Sequence, residues 1–257
     1  MNNLSGKMAL ITGATSGIGK DTALALAREG CDLLLIGRRI DRLEQLQKDI
    51  KLSHGRDCYP IKLDIRDKDA VKKAIADLPS KWKNIDILVS NAGMARGINK
   101  MQDAGVDDWD EMFDTNVKGL LYVTHAVLPG MVARDKGDIV HIGSIAGHEV
   151  YPGGDIYCST KHAVNAIAKG LRIDLVDTSI RVSSIDPGMV ETEFSEVRFR
   201  GDKEKAKVVY TGLKPLVGED IAETLVFIVT RPAHVQIAEI IIFPTAQASA
   251  MVSHRES

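Results

Sequence analysis

Cysteine is scarce in this 257-residue chain: Cys31, Cys58 and Cys158 are the whole supply. An odd number at wide spacing supports neither a disulfide framework nor the paired ligands of a zinc site, so a reducing, cytoplasmic setting is expected. No stretch of about 18 apolar residues occurs, which leaves no candidate membrane span. Residues 1–17 hold a single lysine and a short apolar run that gives way to Thr-Gly, unlike a secretory leader. Charge of one sign is also missing: 33 Lys+Arg face 35 Asp+Glu for a net of -2, which removes the electrostatic case for a nucleic-acid partner. What remains is ordinary globular material, 44% hydrophobic and 26% charged, enough for a sizeable core in one domain over 1–257.

Apolar runs of strand length alternate with longer segments of helical period, the pattern of parallel strands covered by crossover helices. Strands are predicted at 8–12, 32–36, 57–63, 85–89, 138–142, 180–185 and 237–243, and helices at 17–29, 41–52, 67–81, 107–134, 155–178 and 218–230. Asp41, Asp67 and Asp107 stand where a capping oxygen or an acidic first turn favours a helix start. The predicted fold is α/β: a single-domain, doubly wound, seven-stranded parallel sheet with helices on both faces. One charged segment, 189–216, breaks the alternation and reads as a substrate lid.

Directly after the first strand come Gly13, Ala14, Thr15, Ser16, Gly17, Ile18 and Gly19. Glycines in a strand-to-helix turn let the backbone approach a pyrophosphate and present it to the N–H groups of the helix. The spacing is G-x-x-x-G-x-G rather than G-x-G-x-x-G, and in this it resembles the short-chain dehydrogenase/reductase family, whose Rossmann fold the alternation matches. The second strand runs into Arg38 and Arg39 where an NAD site would carry an acid, and arginine there accommodates a 2′-phosphate, so NADP(H) is expected over NAD(H). Asp32 begins that strand and lies at the wrong edge to serve as the acid. The resemblance implies adenine contacts from Asp64 and Ile65, a ribose-side turn from Asn91, Ala92 and Gly93, and nicotinamide contacts from Pro187, Gly188, Val190 and Thr192.

Tyr157 and Lys161 lie four apart on a predicted helix and therefore share a face. Hydride transfer at a carbinol carbon must be matched by proton transfer at its oxygen, and a phenol near pKa 10 is a poor base at neutral pH. A neighbouring ammonium corrects this; lowering the phenol by about 2–3 pH units corresponds to roughly 3–4 kcal/mol of preference for phenolate. Tyr210 and Lys214 repeat the spacing, but inside the charged insert with Pro215 beyond, and are read as a decoy. Ser144, after the fifth strand, can donate to a substrate oxygen. Ser144, Tyr157 and Lys161 match the family's order and spacing, and Asn116 matches its fourth member, which implies a proton relay through a water held at that helix. His141, His148 and His162 flank the site without metal-ligand spacing, are assigned to packing or surface, and no metal is expected.

Substrate information rests on the insert, where Arg198 and Arg200 stand beside Phe194 and Phe199. Such arginines suit a carboxylate, and Arg198 is taken as the clamp. Stretches at 78–88, 128–131, 193–202 and 232–235 further resemble the NADP-dependent 3-hydroxy acid dehydrogenases, the branch that includes serine 3-dehydrogenase and allo-threonine dehydrogenase. That resemblance implies NADP-linked oxidation of a β-hydroxyl in a small hydroxy acid, with Ser144 and Tyr157 on the substrate beside the Arg198 clamp read from the insert, and a homotetramer built on the helices at 107–134 and 155–178. The alternatives are a 3-oxoacyl-thioester or broad carbonyl reductase on the same machinery, and a non-catalytic NADP-sensing protein.

Overall fold

In the computed structural model, which describes residues 4–256, the strands are β1 (Met8–Thr12), β2 (Asp32–Gly37), β3 (Cys58–Lys62), β4 (Ile87–Ser90), β5 (Gly137–Ile142), β6 (Ile180–Pro187) and β7 (Glu239–Ile242). They form one parallel sheet in the order β3-β2-β1-β4-β5-β6-β7. The expected domain of 1–257 extends past the described residues at both ends. The helices are α1 (Gly17–Arg28), α2 (Ile40–His54), α3 (Lys68–Ala76), α4 (Val106–Phe113), α5 (Leu120–Ala133), α6 (Asp155–Asp174), α7 (Phe194–Arg198), α8 (Lys203–Val208) and α9 (Gly218–Val229).

Strand alternation sorts the core into two layers. Ala9, Ile11, Leu33 and Leu35 pack with Leu26 of α1 and Ile221 and Leu225 of α9, whereas Leu10, Leu34, Ile36 and Leu88 pack with Val123, Val127 and Met131 of α5. Both faces being covered explains why the central strands are nearly continuous apolar runs. The chain reverses its winding between β1 and β4, and a crevice opens there beyond the carboxyl ends of the strands.

Three predicted segments differ in detail. The helix expected over 67–81 ends at Ala76, because Pro79 lacks the N–H a continuing helix needs and disfavours helical geometry at Leu78. Its start is as expected, with Asp67 accepting from the N–H groups of Asp69 and Ala70. Asp41 and Asp107 instead lie inside the first turns of their helices, where the carboxylate faces the positive end of the dipole. The helix expected over 107–134 is interrupted by a wider π-turn at Asp114–Gly119, which carries Asn116. The segment 189–216 is not a bare loop; it carries α7 and α8, and its ends are tied by hydrogen bonds from Glu191 N to Leu216 O and from Leu216 N to Met189 O.

Candidate active site

The crevice is a cavity of about 560 Å³ lined by the turn after β1, the ends of β2 through β6, and α7. Gly13 and Gly17 adopt positive φ, and a Cβ on Gly13 would lie 2.9 Å from Ala92 Cα, so the turn closes tightly on the end of β4. Gly19 lies beneath it: a Cβ there would sit 2.4 Å from both Gly13 O and Asn91 Nδ2. Asn91 locks this arrangement by donating through Nδ2 to Thr12 O (2.9 Å) and Gly13 O (3.3 Å). Ser16 caps α1 without a side-chain bond, and the first turn holds no acid, leaving a helix N-terminus suited to an anion.

Arg39 sits over the same turn, donating to Thr15 Oγ1 (2.7 Å) and Ser16 Oγ (2.9 Å). Its other nitrogen meets Glu193 of the insert at 2.9 Å, and Arg42 meets the same carboxylate at 2.6 Å. Burial raises the Glu193 pKa, but the bonds from Arg39 and Arg42 prevail and hold it below the usual glutamate value. Arg38 is exposed at the cavity edge. Asp64 also lines the cavity; its carboxylate accepts from Arg66 at 2.6 Å, which keeps its pKa low. Ile18, Ile65, Ala92, Gly93, Pro187, Gly188, Val190 and Thr192 complete this end.

At the other end, α6 brings Tyr157 and Lys161 onto one face, opposite Ser144. Lys161 is buried; its ammonium donates to Ile142 O (2.9 Å) and lies 5.9 Å from the Tyr157 ring centroid. Burial pushes its pKa down to about 8, against an opposing pull from Asp186, so it remains mainly cationic at neutral pH. The expected lowering of the phenol is not met among protein groups. Burial drives Tyr157 well above the usual tyrosine value, and the groups pulling it down are Arg198 and the Ser144 hydroxyl rather than Lys161.

Asn116 is buried and does not line the cavity. Its Oδ1 accepts from Met94 N (2.8 Å), while Nδ2 donates to Met94 O (2.8 Å) and Thr160 Oγ1 (3.0 Å). The side chain is thereby committed to joining the loop after β4 to α6.

The two insert arginines separate cleanly. Arg198 points into the cavity with its guanidinium 5.2 Å from the Tyr157 ring centroid and 5.1 Å from that of Phe194, and donates to Tyr151 OH (3.1 Å). Its Nε is buried without a partner. Arg200 lies outside, paired with Asp108 and largely exposed. Tyr210, read as a decoy, also lines the cavity, bonding Ser195 Oγ (2.7 Å) and Val190 O (2.9 Å), while Lys214 is exposed.

Sequence reasoning passed over Met94, Tyr151, Glu193, Gln247 and Arg255, which line the same space. Gln247 and Arg255 arrive from the chain end, which no local motif marks; Glu193 was detectable only as the acid next to Thr192. The flanking histidines divide. His141 is fully buried with neither ring nitrogen bonded, and His162 Nδ1 lies 2.9 Å from Cys158 O. His148, however, converges with Asp186 and Glu239, three residues from separate stretches whose spacing gave no sign of it.

Comparison with known proteins agrees with this geometry. The sequence profile of the short chain dehydrogenase family matches residues 7–203. The NADP-dependent 3-hydroxy acid dehydrogenase of Schizosaccharomyces pombe is 45% identical over 257 residues, covering 100% of this chain and 99% of that one. The NADP-dependent 3-hydroxy acid dehydrogenase YdfG of Escherichia coli strain K12 is 43% identical over 249 residues, 96% of this chain and 99% of that protein. Among solved structures, the closed form of a serine dehydrogenase complexed with NADP+ superposes with a TM-score of 0.91 at 43% identity, covering 97% of this chain and 100% of the other.

Proposed function

We propose that this chain, which belongs to the short-chain dehydrogenase family, is an NADP(H)-dependent oxidoreductase acting on the 3-hydroxyl or 3-oxo carbon of small hydroxy acids of the serine, allo-threonine and 3-hydroxypropionate type. The observation that carries the substrate class is Arg198. A guanidinium stacked on Tyr157, with a buried Nε lacking a partner, suits a carboxylate held two carbons from the reacting carbinol. The relatives named for 3-hydroxy acids and serine support the same reading.

The nucleotide fits on this chain's own groups. A turn too tight for Cβ atoms and an uncapped helix end would receive the pyrophosphate, and Arg38 and Arg39 with the Thr15 and Ser16 hydroxyls would receive the 2′-phosphate. Asp64 and Ile65, which line the same cavity, would border the adenine, Asn91, Ala92 and Gly93 the ribose, and Pro187, Gly188, Val190 and Thr192 the nicotinamide. When bound, the cofactor supplies or accepts the hydride. Tyr157 gives its phenolic proton to the substrate oxygen in reduction and takes it back in oxidation. Ser144 donates a hydrogen bond to that oxygen, Ser144 and Arg198 are the protein groups that favour the phenolate, Lys161 keeps a buried ammonium 5.9 Å from the Tyr157 ring centroid, and Asn116 fixes the loop and helix that frame them. The 189–216 segment acts as the lid, carrying Arg198 over the substrate.

Arg198→Ala is expected to raise KM for hydroxy acids at least about tenfold more than for neutral carbonyl compounds. An equal effect on both would remove the clamp. The reading includes a cytoplasmic location, in keeping with three buried free thiols, and a homotetramer. Exposed Leu121 and Val132 on α5 and Ile173 on α6 support association through those helices.

A further inference from the structure

Behind Ser144 lies a carboxylate that the proton-transfer reading leaves unused. Asp186 is completely buried in β6; its Oδ1 accepts from Ser144 N (3.1 Å), and its Oδ2 accepts from Ser184 Oγ (2.9 Å). The carboxylate presses against the backbone, because a Cβ on Gly143 would come within 1.8 Å of Oδ1. On its far side His148 Nε2 lies 3.4 Å from Oδ2 and 3.2 Å from Glu239 Oε1, and both His148 and Glu239 reach solvent. Asn165 of α6 closes the group, its Nδ2 lying 3.0 Å from His148 Nε2. Burying a carboxylate without an arginine or lysine in salt-bridge contact costs free energy that the fold would shed by carrying an apolar residue there. Its place beside the reacting edge calls for a function.

We propose that Asp186 is a positioning residue for hydride transfer, fixing the Ser144 backbone and sustaining the Lys161 ammonium, with His148 and Glu239 connecting it to solvent. The proposal rests on Tyr157 and Lys161 being the proton-transfer pair. Around Lys161 the Ile142 carbonyl accepts from the ammonium but supplies no counter-charge, the Tyr157 phenol is protonated, and His141 in β5 turns repulsive if it gains a proton. Lys161 and Asp186 engage the same stretch of backbone at the end of β5, the ammonium through Ile142 O (2.9 Å) and the carboxylate through Ser144 N (3.1 Å), and the carboxylate favours the charged form of Lys161 against the burial that pushes its pKa down to about 8. Asp186 in turn is raised by its own burial and drawn back by Ser184, His148 and the Ser144 N–H.

The test is the pH profile of kcat for hydroxy-acid oxidation with NADP in wild type, Asp186→Asn, Glu239→Gln and Tyr157→Phe. Asparagine keeps an oxygen for Ser144 N but removes the charge. Asp186→Asn is expected to move the alkaline limb about one pH unit lower, giving a several-fold loss near pH 8.5 and much less near pH 6.5. A purely structural role would lower kcat equally at both. An unmoved limb in a folded Asp186→Asn protein, with Tyr157→Phe inactive, overturns the proposal and leaves the reading of the pair intact. Activity retained by Tyr157→Phe overturns both. Should Asp186→Asn fail to fold, Glu239→Gln decides: a smaller shift in the same direction supports the proposal, and an unmoved limb contradicts it.

Discussion

In the proposed reading, Arg39 is the residue on which nucleotide choice turns. It is held by Thr15 and Ser16 hydroxyls on one side and by Glu193 on the other, so it is oriented before any phosphate arrives. A pre-oriented guanidinium loses little freedom on binding and reads a dianion strongly. Arg39→Ala is expected to weaken NADP binding about tenfold or more while leaving NAD nearly unaffected, measured by fluorescence titration of both nucleotides. A parallel loss for both would show that Arg39 shapes the turn rather than reading the phosphate. Arg38 and Arg39 were legible from sequence because a strand end is a fixed place in this fold. Which insert arginine enters the cavity was not fully legible, since Arg198 and Arg200 are separated by one residue and only the turn that ends α7 sends one inward and one out.

Elements carry the site as much as side chains do. The turn from β1 to α1 works because Gly19 leaves no room for a Cβ beside Gly13 O and Asn91 Nδ2. Gly19→Ala is expected to cost about 1–3 kcal/mol of stability by overpacking and to weaken nucleotide binding at least about tenfold, read from a urea midpoint and the same titration. Normal binding in that variant would remove the turn from the nucleotide site. The alternation of strands and helices made these elements readable from the chain alone, and the glycine spacing located the turn. The π-turn at Asp114–Gly119 was not readable, because nothing in its residue types distinguishes it from the helical turns on either side. Nor were the insert's short helices, whose five and six residues are below the length at which a period declares itself.

At the scale of the whole molecule, the sheet order brings the glycine turn after β1 and the segments at the ends of β2 to β6 to one crevice. The winding reverses between β1 and β4, so segments far apart in the chain meet over that point. The His148, Asp186 and Glu239 group was invisible for the same reason: β5, β6 and β7 bring together residues that no spacing rule connects. The sheet also buries His141 completely, and that burial pushes its pKa down to about 4. Unfolded, the imidazole titrates near about 6.5, so between these values the unfolded chain holds the extra proton. Stability is therefore full above about pH 6.5 and is lost as pH falls toward 4, by roughly 3 kcal/mol from this group. Urea midpoints at both ends of that window, compared with those of His141→Leu, check it: the variant is expected to show a shallower pH dependence.

What the enzyme turns over, and with which nucleotide, is the central question. Initial rates of nicotinamide absorbance change, measured with L-serine, allo-threonine, 3-hydroxypropionate and 3-hydroxyisobutyrate against neutral alcohols, each with NADP and NAD, test it most directly. Turnover of the hydroxy acids with NADP, at a kcat/KM well above that for NAD and for the neutral alcohols, is the predicted result. NADP-dependent activity confined to neutral compounds, or hydroxy-acid turnover indifferent to the 2′-phosphate, would contradict it.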